Sequence, residues 1–164
     1  MSRYVYEGYT RVAWVPGTSG IADVDAPSTV ELNGGTDLSQ LLTKDGLQTP
    51  TNQNNVDSST LAETFDAEIA GSWGGGGLTL TCFRDNASDT AWDLFAHGVN
   101  GFVVIRRGVA YDTAWANGQD CEVWPFQSHE PVMNQSARNE EQRFTVQGAV
   151  TSEPSQHSVV GGGS

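Results

Sequence analysis

Residues 78–83 alternate strictly, with Leu78, Leu80 and Cys82 on one parity and Thr79, Thr81 and Phe83 on the other. Successive side chains of an extended chain point to opposite faces, so this period of two predicts a strand with one buried face. The four glycines at 74–77 break whatever precedes it, and Asp85, Asn86, Ser88 and Asp89 end it. Ser88 or Asp89 can accept hydrogen bonds from the first free amides of a helix, where a carboxylate also meets the positive helix end. Trp92, Phe95 and Val99 then recur at spacings of three and four, which makes one apolar helical face. Gly98 and Gly101 let the chain turn out of that helix, and 102–105 is an apolar run rich in β-branched residues, closed by Arg106, Arg107 and Gly108. The centre of the chain therefore reads as strand, helix and strand, with the helix over about 88–98 and packing carried by Trp92, Phe95, Leu80 and Val104.

The flanks add strands. Residues 4–15 predict a first strand, with Tyr4, Tyr6, Val12 and Trp14 as inward positions around an interruption at Gly8. Residues 16–28 are irregular by composition, and 29–32 read as a second strand before the Asn33-Gly34-Gly35 turn. Asp37 can cap a short helix in which Leu38, Leu41 and Leu42 share a face, ended by Asp45-Gly46. The stretch 43–60 is polar and nearly without large apolar groups, too long for a plain connector, so it is expected to be disordered or to order against another molecule. Residues 60–69 regain a loose alternation through Leu61, Phe65 and Ile69. Residues 121–126 form a strand whose end Pro125 marks, and 142–151 form another, with Phe144, Val146, Gly148 and Val150 on one side. Residues 156–164 read as a flexible tail after a single domain spanning 1–155. Six to eight strands and one confident helix predict a mainly β fold, an antiparallel sandwich or barrel with the helix packed on its outside; the alternative is an α+β sheet covered on one face.

Charge narrows the function. Eight Lys plus Arg against 20 Asp plus Glu give a net charge of −12, the wrong sign for a protein that grips phosphates. Arg106 and Arg107 are the only adjacent basic pair, and they read as a solvated strand end. The opening MSRYVYEGYTRV has no apolar signal-peptide core, and no run approaches the ~20 apolar residues that span a bilayer. Cys82 and Cys121 lie in strand-like segments and read as reduced core thiols, the alternative being a disulfide or metal pair. His97, His129 and His157 show no metal-ligand spacing. The glycines at 74–77 are followed by Leu78 and Thr79 rather than a lysine and hydroxyl pair, which rules out a phosphate loop, and Ser72 is one place out of register for a nucleophile elbow. No catalytic residue, metal or cofactor is expected.

The run NQNNVDSSTLAETFDAEIAGSWGGGGLTLTCFRDNASDTAWDLFAHGVNGFVVIRRG resembles the middle of the tail tube proteins, or major tail proteins, of long-tailed phages of actinobacteria. Upstream, VAWVPGTSGIADVDAPSTVELNGGTDLSQLLTKDGL resembles the family's first strand, arm and early loop; downstream, CEVWPFQSHEP, QRFTVQGAV and TSEPS are similar to its closing strands. The resemblance implies a non-enzymatic virion protein, made in the host cytoplasm, whose subunits join into rings, usually hexameric, that stack into a tube for genome passage. It implies that the arm at 16–28 and the loop at 43–60 order on neighbouring subunits, with Thr49, Pro50, Thr51, Asn52, Gln53, Asn54, Asn55, Ile21 and Asp23 between subunits or rings. It also implies a helix outside the sheet that lines the lumen. Phe144 and Val146 stay core positions. Partners implied are further copies of the chain and the tape measure, tail terminator and distal tail proteins, while double-stranded DNA passes without specific binding. An acidic lumen would keep phosphates sliding across a gap comparable with the ~8 Å Debye length; the alternative is that the acidity serves only the solubility of an abundant subunit. Rival readings are a tail terminator or capsid decoration protein, a carbohydrate-binding module using Trp73, Trp115 or Trp124, and a hydrolase with an unlocated carboxylate pair.

Overall fold

The computed structural model describes residue 3 and residues 7–161. In chain order the elements are β1 (Thr10–Pro16), α1 (Thr29–Asn33), β2 (Thr36–Asp37), β3 (Leu42–Gln48), β4 (Thr51–Asp57), β5 (Glu68–Gly75) and β6 (Leu78–Phe83). They continue with α2 (Thr90–Leu94), β7 (Asn100–Arg107), β8 (Asp120–Ser128), β9 (Val132–Met133), β10 (Arg143–Val150) and β11 (Ser155–Val159). The main sheet runs β2-β1-β7-β8-β10-β6-β3, with β11 added on β8 and β9 on β10; β4 and β5 form a separate two-stranded sheet. Every strand pair is antiparallel. The fold is mainly β and sandwich-like, as expected.

The three central strands are buried on both faces. On β1, Val12 and Trp14 enter one apolar cluster while Ala13 and Val15 enter a second; on β7, Val103 and Ile105 oppose Phe102 and Val104; on β8, Trp124 and Phe126 oppose Cys121 and Val123. Two buried faces explain why 102–105 reads as a continuous apolar run rather than an alternation. By contrast, β6 and β10 keep one buried face, and their alternation is realised in Leu78, Leu80, Cys82, Phe144 and Val146. In the first cluster Trp14 meets Phe95 and Phe126 edge-on, at centroid distances of 5.1 and 5.8 Å, and Trp92 meets Phe144 at 5.1 Å. Edge-to-face pairs place a positive ring edge on a negative ring face and add about 0.5–1.5 kcal/mol each beyond burial. The two thiols lie in different clusters, Cys82 in the first and Cys121 in the second, and both are free. Burial pushes them up to about 12 and about 11 respectively, so both are protonated core groups at neutral pH.

Several local expectations are corrected. Residues 29–32 form α1, not a strand, because Ser28 and Glu31 close a capping box: Glu31 N–H donates to Ser28 Oγ at 3.2 Å and Ser28 N–H to Glu31 Oε1 at 2.9 Å. Ala22 N–H adds a bond to Glu31 Oε2 at 2.8 Å, which ties the preceding loop to the helix. The short helix expected after Asp37 is β2 followed by a turn, since the Asp37 carboxylate accepts from both the amide and the hydroxyl of Ser39. The helix expected over 88–98 shrinks to Thr90–Leu94, because Asp89 spends its carboxylate on Arg84 and Asp85 rather than capping. Phe95 is already extended, yet it and Trp92 still pack on the first cluster. Tyr4 and Tyr6 lie outside the described residues.

Pro125 sits inside β8, not at its end. It is tolerated there because β8 changes partner at this point: residues up to Val123 face β11, whereas Phe126 onward face β10. The Pro125 carbonyl accepts from Thr151 N–H on that same edge, so the missing N–H points into the gap between the two partner strands. The tail expected to be flexible from 156 onward instead contributes β11, buried Ser158 and buried Val160, and Gly161 bridges to Ser28. Residues 43–60 are likewise not structureless, since β3 and β4 occupy most of them.

The capping box gives a stability prediction. Ser28→Ala is expected to cost about 1 kcal/mol in urea unfolding. Burial raises the Glu31 pKa, but the bonds from Ser28 and Ala22 outweigh it, and the net shift is downward. A depressed carboxylate stabilises above its unfolded pKa and loses that contribution as pH falls through the folded value. Acidification below about pH 4.5 should therefore cost the wild type more than Glu31→Gln, as urea midpoints across pH will read.

Candidate assembly surface

Among the described residues, strands β4 and β5 pair with each other alone, register Thr51↔Gly75 to Asp57↔Glu68, with a bulge between Gln53 and Asn55. Neither strand has a buried residue. The connecting loop is tied by its own polar groups: Ser58 N–H donates to Ala67 O at 2.9 Å, Ala67 N–H to Ser59 Oγ at 2.8 Å, and Thr60 N–H to Glu63 Oε2 at 3.0 Å. These bonds order the loop between the two strands while its apolar side chains stay outside. Val56 and Ile69, directly opposite in register, are 50% and 58% exposed; Leu61 and Phe65 in the loop are 107% and 78% exposed. Four exposed large apolar groups on one two-stranded element make it the candidate interaction surface. No basic residue occurs between 45 and 83, and Asp57, Glu63, Asp66 and Glu68 surround the apolar groups.

At its base the hairpin faces the body across a cleft of about 820 Å³, with Gln53, Asn54 and Trp73 on the hairpin side and Asp25, Glu153 and His157 on the other. Of the site residues expected from sequence, Thr49 to Asn55 come together on the β3–β4 link and β4, all half-buried or exposed. Asp23 is exposed and accepts from Asp25 N–H at 3.0 Å. Ile21 is only 4% exposed and packs within the second cluster of its own subunit, with Leu32 and Trp115. The arm at 17–28 thus folds on its own chain. Sequence reasoning passed over Val56, Leu61, Phe65 and Ile69 as surface groups, although their signal was present: large apolar residues in a polar context without a clean strand parity.

Other candidate chemistry disperses. Trp115 and Trp124 are 5% and 1% exposed, which removes two of the three tryptophans suggested for sugar binding and leaves Trp73. His97, His129 and His157 are exposed and apart, and no group of metal-ligating side chains occurs among the described residues. Arg106 is fully buried rather than a solvated strand end, whereas its neighbour Arg107 is exposed and pairs with Glu122. No described helix is long and apolar enough to cross a membrane.

The fold is a sandwich-like β domain that carries exposed large apolar groups on the separate β4–β5 hairpin. A family profile described as "Phage tail tube protein" matches residues 1–163, and the chain belongs to that family of structural, non-catalytic tail components. Among solved structures the fold is similar to a chain in the "Cryo-EM structure of the anti-feeding prophage (AFP) baseplate, 6-fold symmetrised", at 14% identity and a TM-score of 0.55, covering 98% of each chain. Comparison with curated protein sequences gives no match.

Proposed function

We propose that copies of this chain close into rings, six to a ring, and that the rings stack into the hollow tail tube of a long-tailed, siphovirus-type actinobacteriophage, through which double-stranded DNA passes into the host. The observation that carries this reading is the hairpin, whose large apolar side chains Val56, Leu61, Phe65 and Ile69 are all exposed, from half-exposed Val56 to fully exposed Leu61. The sixfold symmetry named for the structurally similar baseplate supports the ring number. Strands β2 and β3 end the main sheet, so each subunit offers two sheet edges for its neighbours. Thr49 to Asn55 and the acidic loop beyond them act between subunits, and Asp23 adds a contact from the arm. The tube meets the tape measure, tail terminator and distal tail proteins at its core and ends, and it resides in the virion tail after assembly in the host cytoplasm.

The net charge of −12 supports a lumen that repels phosphates and lets the duplex slide. Negative-stain microscopy of the purified protein tests the assembly: long hollow tubes are expected, and single rings that never stack would identify a tail terminator instead.

A further inference from the structure

The glycine run 74–77 has the composition of a flexible linker, but the space around it is that of a packed elbow. A Cβ on Gly75 would lie 2.6 Å from both Cβ and Cγ2 of Val150, far inside van der Waals contact. A Cβ on Gly76 would lie 3.0 Å from the Pro50 carbonyl oxygen, to which Gly76 N–H itself donates at 2.8 Å. Gly77 adopts φ +93°, a conformation side chains resist, as the chain turns into β6. Gly74 differs from the other three: nothing lies within 4 Å of its missing Cβ, and its φ is not positive. Val150 is the last residue of β10 and packs against the first apolar cluster, so the surface that Gly75 touches is anchored in the core.

We propose that Gly75, seated on Val150, and Gly76, bonded to Pro50, are positioning residues that fix the angle at which the hairpin leaves the domain, and so the direction in which its apolar tip is offered to a neighbouring copy. This rests on the reading of the hairpin as the assembly element. Contact without a side chain lets backbone sit directly on the Val150 methyls; any larger residue must lift β5 away from the body. Lifting at the root is magnified along a hairpin of seven- and eight-residue strands, because a strand advances about 3.3 Å per residue. The same elbow sets the width of the cleft between Asn54 and Gln156.

Gly75→Ala and Gly74→Ala make the test: tube yield is read on these variants with Asn54 and Gln156 native, and label distance on companions that add Asn54→Cys and Gln156→Cys for spin labels on the two cleft walls. The native thiols are buried and protonated, so labelling is confined to the added cysteines. Gly75→Ala is expected to shift the label distance and to reduce tube yield at least tenfold, with an unchanged circular dichroism spectrum. Gly74→Ala should leave both readouts at wild-type values, and Gly75→Ala/Val150→Gly, which returns the space, should recover them. Gly76→Ala, the milder contact, substitutes if Gly75→Ala does not fold. An unchanged label distance, or a shifted distance with normal tubes, overturns the proposal. Failure of the unmutated chain to form tubes would instead overturn the assembly reading, while the label distance still reports whether the elbow holds.

Discussion

Excising residues 51–75 and joining Pro50 to Gly76 through a short polar turn is expected to leave a folded protein that forms no tubes. The join is short because Gly76 N–H already donates to Pro50 O at 2.8 Å, so the two ends are adjacent in the native chain. The remaining sheet should persist, since among the described residues β4 and β5 pair as strands with each other alone and contribute no residue to either buried cluster. A milder version isolates the driving force. Leu61→Ser with Phe65→Ser removes one fully and one largely exposed side chain of the single subunit, so subunit stability should change by less than about 0.5 kcal/mol. Burial of each such side chain at an interface is worth about 1.5–3 kcal/mol, and the pair together about 3–6. At 1.4 kcal/mol per decade, the protein concentration needed for polymerisation should rise by roughly two to four orders of magnitude, as light scattering of a dilution series will measure. Normal polymerisation of the double variant would show that the tip lies outside the interface.

The division between what was legible in the sequence and what was not follows the source of each element's stability. Alternation in 78–83 and 143–150 announced β6 and β10 because each strand buries one face in a local core, and that requirement is written directly into residue parity. The apolar run at 102–105 announced β7 for the same reason on two faces. The hairpin was not legible as strands because β4 is TNQNNVD, a sequence with no core to fill, whose extended form rests on its partner β5 and, in the proposed function, on another subunit. Helix α1 was hidden by β-branched Thr29 and Val30, and only the reciprocal bonds of Ser28 and Glu31 outweigh their preference. Strand β11 was hidden because SQHSV buries one small hydroxyl residue, Ser158, and takes its order from the β8 ladder. Family resemblance implied a subunit contact at Ile21, whereas Ile21 packs inside its own subunit with Leu32 and Trp115.

Arg106→Met is expected to destabilise the subunit by about 1–3 kcal/mol, the range for leaving buried neutral acceptors without their donor. Read as a sequence, Arg106 looks like the end of a strand. In the fold it is fully buried, and its guanidinium is the hub of the loop that follows β7. Nη2 donates to the carbonyls of Ala110 and Thr113 at 2.9 and 2.8 Å, and Nη1 donates to Gln119 Oε1 at 3.0 Å and Ala114 O at 3.3 Å. The guanidinium also lies 4.9 Å from the Trp115 ring centroid, with Arg11 5.5 Å from the same ring. Burial, and then the nearby Arg11 charge, pull the Arg106 pKa down, yet an arginine starts high enough to stay charged at neutral pH. The cation is therefore stabilised by oriented carbonyl dipoles, and a neutral isostere would fill the volume while leaving those oxygens short of donors. Arg106→Lys keeps the charge but offers a point ammonium in place of a planar fork, so it should recover about half of the loss and no more. Urea midpoints for the two variants measure this, and amide exchange should quicken at residues 110–119 in both. A midpoint for Arg106→Met within experimental error of the wild type would mean that the loop is held by Trp115 packing alone and that the four hydrogen bonds contribute nothing net.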